Sequence, residues 1–474
     1  MSGYPAEVQG ERQHYNVTLA ILTFAGMAYA LQQTMVIPAL VALRDDLGTT
    51  TTWVTWVLTV FLLVASVATP ILGKLGDQYG KERLLTITLT IFLAGCIGAA
   101  LAWNIWSLIA FRAVQGVGGA VFPLAFAIIR DEFPREKVGV AIGLISAVFG
   151  VGGGLGIVLS GLIVDNASWR WLFVVGSIPT AIAVVLVHRF VPESPIKTAS
   201  KVDFVGATLM SLGLVALLVA LTEGETWGWT SGRTLGLGAV SAAFLVAWGV
   251  AELQVDEPMV DMRMLARRQV LFTNITALIA GFAMFGSFVL VPNFVESAQH
   301  VVHYGFNASA TKAGLYLLPS SITLLFAGPV AGLIGRRVGS KWPLAMGLAL
   351  VAVAAAMLAF WNDEPWQVLA AMPLLGIGVG FAFAAMATLI TEAVRPTETG
   401  VATGMNTVMR TIGGVVGGQV GAALLSAYTV GRTSLPSEKG FEIAFAASAV
   451  AAVIGAGVAV LVTPPRFRRA RLSI

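Results

Sequence analysis

Residues 73–83 read Gly73-Lys74-Leu75-Gly76-Asp77-Gln78-Tyr79-Gly80-Lys81-Glu82-Arg83, between two apolar blocks at about 54–72 and 84–103. Each block has about 20 residues, the length a helix needs to cross the hydrocarbon core of a bilayer. The stretch between them is short, charged and rich in glycine, which permits a tight turn. The pattern is two membrane spans joined at a membrane surface.

Working outward, apolar blocks recur along the whole chain. Expected helices cover residues 17–40, 54–72, 84–103, 106–129, 138–164, 171–191, 204–221, 235–253, 270–294, 313–334, 342–361, 366–390, 401–428 and 441–462. No connection is long enough to form a separate soluble domain. Hydrophobic residues make up 57% of the 474 and charged residues 11%, against about 25% charged in soluble domains. Mean hydropathy is +0.83. These values exclude a soluble globular protein. The net charge of +4 does not indicate nucleic acid, because the basic residues sit in short loops between apolar runs. Cys96 is the sole cysteine, so an intrachain disulfide is impossible. Residues 1–16 lack the plan of a cleaved signal peptide, and the first helix is expected to serve as signal and anchor.

Lys and Arg in the short loops set orientation. One set of loops, with both termini, carries 21 of them; the opposite set carries six, Arg44, Arg170, Arg233, Lys312, Arg432 and Lys439. This bias requires an even number of spans and places both termini in the cytoplasm.

An internal repeat is legible. Gly139-Val140-Ala141-Ile142-Gly143 matches Gly400-Val401-Ala402-Thr403-Gly404. Gly143, Gly152 and Gly156 share the spacing of Gly404, Gly413 and Gly417, and Gly116 and Gly118 match Gly376 and Gly378. The stretch from Gly73 to Gly80 matches Gly332 to Gly339. A common offset of about 260 residues marks a long-period repeat. The expected architecture is therefore all-α, fourteen membrane helices arranged as six plus two plus six. Residues 1–195 and 263–474 form two pseudo-symmetric halves, and residues 196–262 an inserted two-helix hairpin. The halves differ in charge: Asp77 corresponds to Arg336, Arg112 to Met372, and Arg410 to Phe149.

On these motifs the chain resembles the major facilitator superfamily, and within it the fourteen-helix drug:proton antiporter branch. Gly73-x-Leu75-Gly76-Asp77-x-x-Gly80-Lys81-x-Arg83 looks like the superfamily's signature loop. There Asp77 is expected to pair with Arg83 and to face a helix N-terminus. The resemblance implies a latch formed by Gly73, Asp77, Gly80, Lys81 and Arg83, with Asp131 as its partner. Arg112-x-x-Gln115-Gly116-x-Gly118-Gly119-Ala120 is similar to the motif of proton-coupled members, and an Arg inside a membrane helix marks function by default. The ladder Gly143, Gly152, Gly156 and Gly161 resembles the exporter signature, although the proline of that pattern is absent. Ser168-Trp169-Arg170-Trp171, Leu221-Thr222-Glu223-Gly224 and Arg410-Thr411-Ile412-Gly413-Gly414 are further matches to this branch. The family's helix-1 Asp is replaced by Gln32, which cannot titrate.

No Asp or Glu lies near the middle of an expected span. Arg112, Glu296 and Glu223 are the proton-coupling candidates. Gln32, Gln33, Gln115, Phe122, Asn406 and Arg410 are candidates for the substrate path, with Phe24, Met27, Phe285 and Met386 as further apolar surface. Arg112 and Arg410 are the charges placed at depth, so the expected cargo is neutral or anionic. His300 and His303 lack a Cys partner, and no metal site is expected.

The implied function is export of lipophilic small molecules by proton antiport. No cofactor is expected: the proton gradient is the energy source. The partners are the lipophilic substrate, protons and the lipid bilayer, with no nucleic acid, and the chain acts as a monomer in the cell (inner) membrane. Alternatives keep the fold but change the cargo to an envelope lipid or a dedicated metabolite, or make the chain a non-transporting sensor. No nucleophile–base pair or phosphate-binding loop points to an enzyme.

Overall fold

A computed structural model describes residues 14–194, 203–297, 304–430 and 435–462. His300, His303, Lys197, Lys201, Arg432 and the terminal arginines Arg12, Arg466, Arg468, Arg469 and Arg471 lie outside the described residues, as does the side chain of Phe285. Fourteen long helices follow one another: α1 Tyr15–Thr34, α2 Thr51–Tyr79, α3 Lys81–Ala100, α4 Ile105–Glu132, α5 Arg135–Asn166, α6 Arg170–Phe190, α7 Phe204–Trp227, α8 Gly232–Gln254, α9 Arg268–Glu296, α10 Ala310–Val338, α11 Lys341–Phe360, α12 Pro365–Ala393, α13 Thr399–Ala427 and α14 Glu438–Val460. Among the described residues, thirteen are long and apolar enough to span a membrane by length and composition. The fourteenth, α1, carries Asn16, Gln32 and Gln33 and is less apolar. It packs inside the bundle against α5 and α6.

Three expectations are corrected locally. The first helix stops at Thr34 and not near residue 40. Pro38 lacks a donor and restricts the residue before it, so the chain turns and restarts as the short helix Leu40–Asp46. The fourth helix is broken by a 3-10 turn at Val117–Ala120, within its glycine cluster. Most of the signature stretch at 73–83 is helix. α2 runs on to Tyr79, and only Gly80, at φ +120°, makes the turn into α3.

The repeat is realised contact by contact. A Cβ at Gly73 would fall on the backbone of Gly400, and one at Gly332 on the backbone of Gly139. Gly404 packs on Pro70 of α2, and Gly143 on Gly328–Pro329 of α10. Gly152 and Gly156 lie on Met27, Leu31 and Thr34 of α1; their mates Gly413 and Gly417 lie on Leu278 and Phe282 of α9. Gly116 meets the Phe61 carbonyl of α2, and Gly376 the Ser320 carbonyl of α10. Small residues are what let membrane helices approach this closely.

Buried apolar side chains gather mainly within α1–α6 and within α9–α14. The α7–α8 pair packs through α7 against α2 and α13. At the end of the bundle away from the α2–α3 turn, Trp56 Nε1 of α2 donates to Glu223 of α7 (2.8 Å), and Ser426 of α13 donates to Glu225 (3.2 Å). At that same end Asp46 accepts from Trp169 Nε1 (2.8 Å) and Arg170 (3.2 Å). The Trp169 hydrogen bond first, and the Arg170 guanidinium with it, hold the Asp46 carboxyl below the usual carboxylate range.

Gly143→Val and its repeat mate Gly404→Val should each destabilise the folded protein by about 1–3 kcal/mol through overpacking. Gly457→Val, with open space around it, should not. Thermal unfolding of the three purified variants checks this.

Candidate functional site

The end of the bundle that holds the α2–α3 turn carries a network joining the two halves. Asp77, fully buried at the end of α2, accepts from the backbone N–H of Gly400 (3.0 Å) and Val401 (3.4 Å). It thus caps the N-terminus of α13, where partial positive charge favours a carboxylate. Lys81, also buried, lies 3.7 Å from Asp77 and pairs closely with Asp131 at the end of α4. Beside it, Arg130 donates to the carbonyls of Val394 (2.6 Å) and Arg395 (3.0 Å) and to Thr399 Oγ1 (2.6 Å). Every acceptor of Arg130 belongs to the opposite half. Behind the network, the Glu193 carboxylate accepts from the N–H groups of Glu82 and Arg83 (3.3 Å each), capping α3, while Ser194 bonds to Asp131.

Deeper in the bundle a narrow crevice, with room for about one water molecule, separates the halves. Phe122, Ser146 and Phe149 line it from α4 and α5, and Phe383, Asn406 and Arg410 from α12 and α13. Phe149 and Arg410 are repeat mates, and the Arg410 guanidinium lies 5.7 Å from the Phe149 ring. Two mates that face each other must lie on the pseudo-two-fold axis, as across an isologous interface. Arg410 also stacks on Phe383 at 4.2 Å. Asn406 donates to Asn274 of α9 (2.9 Å).

Arg112 has a different setting. It is fully buried inside the first half. It donates to the Val57 carbonyl (3.0 Å) and Gln115 (2.5 Å) and lies 4.2 Å over the Phe61 ring. Among the described residues no carboxylate is within ion-pair distance of it, and its second terminal nitrogen has no partner.

Comparison with known proteins identifies the family of this helical fold. The Major Facilitator Superfamily model covers residues 22–418 and 273–473. The chain belongs to this superfamily. It is 32% identical to "Multidrug resistance protein 3" of Bacillus subtilis over 79% of this chain and 72% of the relative. It is 27% identical to the "Multidrug transporter protein MdtP" of the same organism, over 83% and 72%. Among solved structures, the human organic anion transporter MFSD10 (TETRAN) superposes with a TM-score of 0.67 at 13% identity, over 94% of this chain and all of the other. That likeness concerns the fold. Members of the superfamily are transporters, and the chain is a multi-pass membrane transporter.

Set in this facilitator fold, the sequence candidates divide. Phe122, Asn406 and Arg410 line the crevice; Gln32, Gln33 and Gln115 are not among its lining residues. Gln32 is buried against Gly176 of α6, with neither amide atom bonded, and Gln115 serves Arg112. Met386 sits in the core of the second half, and Phe24 packs partly buried against that of the first. Glu296 is exposed at the end of α9, and Glu223 is taken by Trp56. The expected Asp77–Arg83 pair does not form: Arg83 is exposed and Lys81, one turn from Asp77, takes its place. Gly143, Gly152, Gly156 and Gly161 serve close contacts with α1 and α10. Sequence reading missed Arg130, Ser146, Glu193, Ser194 and Asn274. Arg130 was visible beside Asp131 but counted only as a loop charge. Ser146 is the repeat mate of Thr407.

Asp77→Asn should loosen the clasp. A lost charge-assisted share of about 1.5 kcal/mol corresponds to about a tenfold shift in opening. In a Cys96→Ser background, Thr407→Cys should then react about ten times faster with an impermeant maleimide applied to the clasped face, while Arg83→Gln leaves that rate unchanged.

Proposed function

We propose that the protein is a proton-driven exporter of lipophilic small molecules, resident in the cell (inner) membrane with both termini cytoplasmic. The observation that carries this reading is the inter-half clasp. Asp77 and Arg130 of the first half hold backbone groups of the second, through contacts that break as a set when the halves rock apart. Nothing in folding either half alone needs them. Alternating access requires contacts of this kind over a central path, and the axial crevice provides the path. Fourteen of the 21 basic residues of the richer loop set are among the described residues, at the clasped face, and support placing that face in the cytoplasm. The clasped state then has its path shut toward the cytoplasm.

The lipophilic cargo is supported by the aromatic lining of the crevice and by the named multidrug transporters among the relatives. Proton coupling rests on Arg112. A cation buried without a counter-charge is expensive in the membrane, and its setting changes whenever α2 and α4 move relative to one another. Glu223 and Glu296 lie apart from it and serve as secondary candidates for the proton route.

In proteoliposomes with an imposed pH gradient, wild-type protein should accumulate a lipophilic dye, and Arg112→Ala should lose gradient-driven accumulation by about tenfold or more while keeping dye binding. Accumulation that is indifferent to the gradient would refute antiport.

A further inference from the structure

The axial crevice has a donor surplus. Arg410 sits eleven residues into α13, about 16 Å along the helix at 1.5 Å per residue, near the middle of a hydrocarbon core about 30 Å thick. Its guanidinium presents five N–H donors and no acceptor. Phe383 and Phe149 cover it, but among the described residues it makes no ion pair and no hydrogen bond. Across the crevice, Ser146 is 3% exposed and its hydroxyl has no partner. The other side-chain donors of the lining are engaged. Thr403 and Thr407 donate to carbonyls of their own helix (2.7 and 3.0 Å), and the Asn406 amide is spent on Asn274.

An unpaired, half-buried cation and an unpaired buried hydroxyl, facing one narrow space from opposite halves, call for a ligand that supplies acceptors and negative charge. The remaining walls are rings. Phe122, Phe149 and Phe383 form a chain of edge-to-face contacts at 5.3 and 5.8 Å that crosses from one half to the other. Such walls take a flat apolar body at a polarisable surface. A cation of the same shape would meet Arg410 with no carboxylate to offset it.

We propose that this crevice is the binding site of an aromatic organic anion, its carboxylate held by Arg410 and Ser146 and its ring by Phe122, Phe149 and Phe383. The inference rests on the exporter reading to the extent that the crevice is taken as the cargo's path. Because Arg410 and Ser146 belong to different halves, the anion bridges them, and its binding draws the halves together around it. The crevice admits about one water molecule in the clasped state, so the anion enters only when the halves part.

The test is equilibrium binding to the purified full-length protein with three matched probes: anthracene-9-carboxylate, its neutral carboxamide, and (anthracen-9-ylmethyl)ammonium. The carboxylate should bind about tenfold or more tightly than either of the others. Arg410→Gln should erase that preference, and Arg410→Lys should restore part of it. Ser146→Ala should weaken carboxylate binding a few-fold and leave the carboxamide unchanged. Equal binding of the ammonium probe, a preference that survives Arg410→Gln, or no binding by wild-type protein with an intact unfolding transition would each overturn the assignment. Gradient-driven dye accumulation by the same wild-type preparation separates the two readings. Accumulation without carboxylate preference sinks the anion site alone, whereas loss of both sinks the exporter reading as well.

Discussion

Glycine against backbone is the contact on which the rest of this structure depends. In lipid, helices gain nothing by hiding apolar side chains from one another, so association rests on close packing and a few polar contacts. The two halves meet along α5 against α10 and α2 against α13. At both seams glycine meets glycine or proline backbone, at Gly139–Gly332, Gly143–Gly328, Gly73–Gly400 and Gly404–Pro70. At these points backbone meets backbone with no side chain between, and further along α5–α10 Leu324 fits against Gly150 and Ser321 against Gly154.

The two seams are built alike but loaded differently. At α2–α13, Asp77 caps α13, Arg130 grips the chain just ahead of it, and α7 lies over the seam. At α5–α10, the position equivalent to Asp77 is Arg336, which is exposed. A cation there cannot cap the N-terminus of α5, because helix N-termini repel positive charge. The charged clasp is therefore on one seam only among the described residues. At α5–α10 the polar contact between the halves is at the opposite end, where Thr311 donates to Asp165 (3.0 Å).

Helix number, the order of the spans and the repeat were legible because each follows from a periodicity or a length that lipid imposes on sequence. The offset of about 260 also relates the contacts that the fold forms in its two halves, down to Pro70 and Pro329 as partners of Gly404 and Gly143. The partner of Asp77 was not legible. The motif reading pointed to Arg83, and a loop reading hid the fact that α2 continues to Tyr79, which sets Lys81 beside Asp77 across the Gly80 turn. The contacts of Gln32 were not legible for a related reason. Its depth in α1 was readable, but its azimuth was not, and the helix turns it toward Gly176 of α6.

The two deep arginines show how the repeat distributes function. Each breaks the symmetry, since their mates are Met372 and Phe149. Met372 lies in the core of the second half, so the position of Arg112 is an interior one by construction. Its cation is answered inside its own half, by a carbonyl of α2 and a glutamine one turn away. Arg410 occupies a position that faces its own mate, and a residue on a two-fold axis is by geometry shared between the halves. A charge there cannot be satisfied by either half without crossing the path. The first arginine thus sits wholly within one half, and the second faces the space between them.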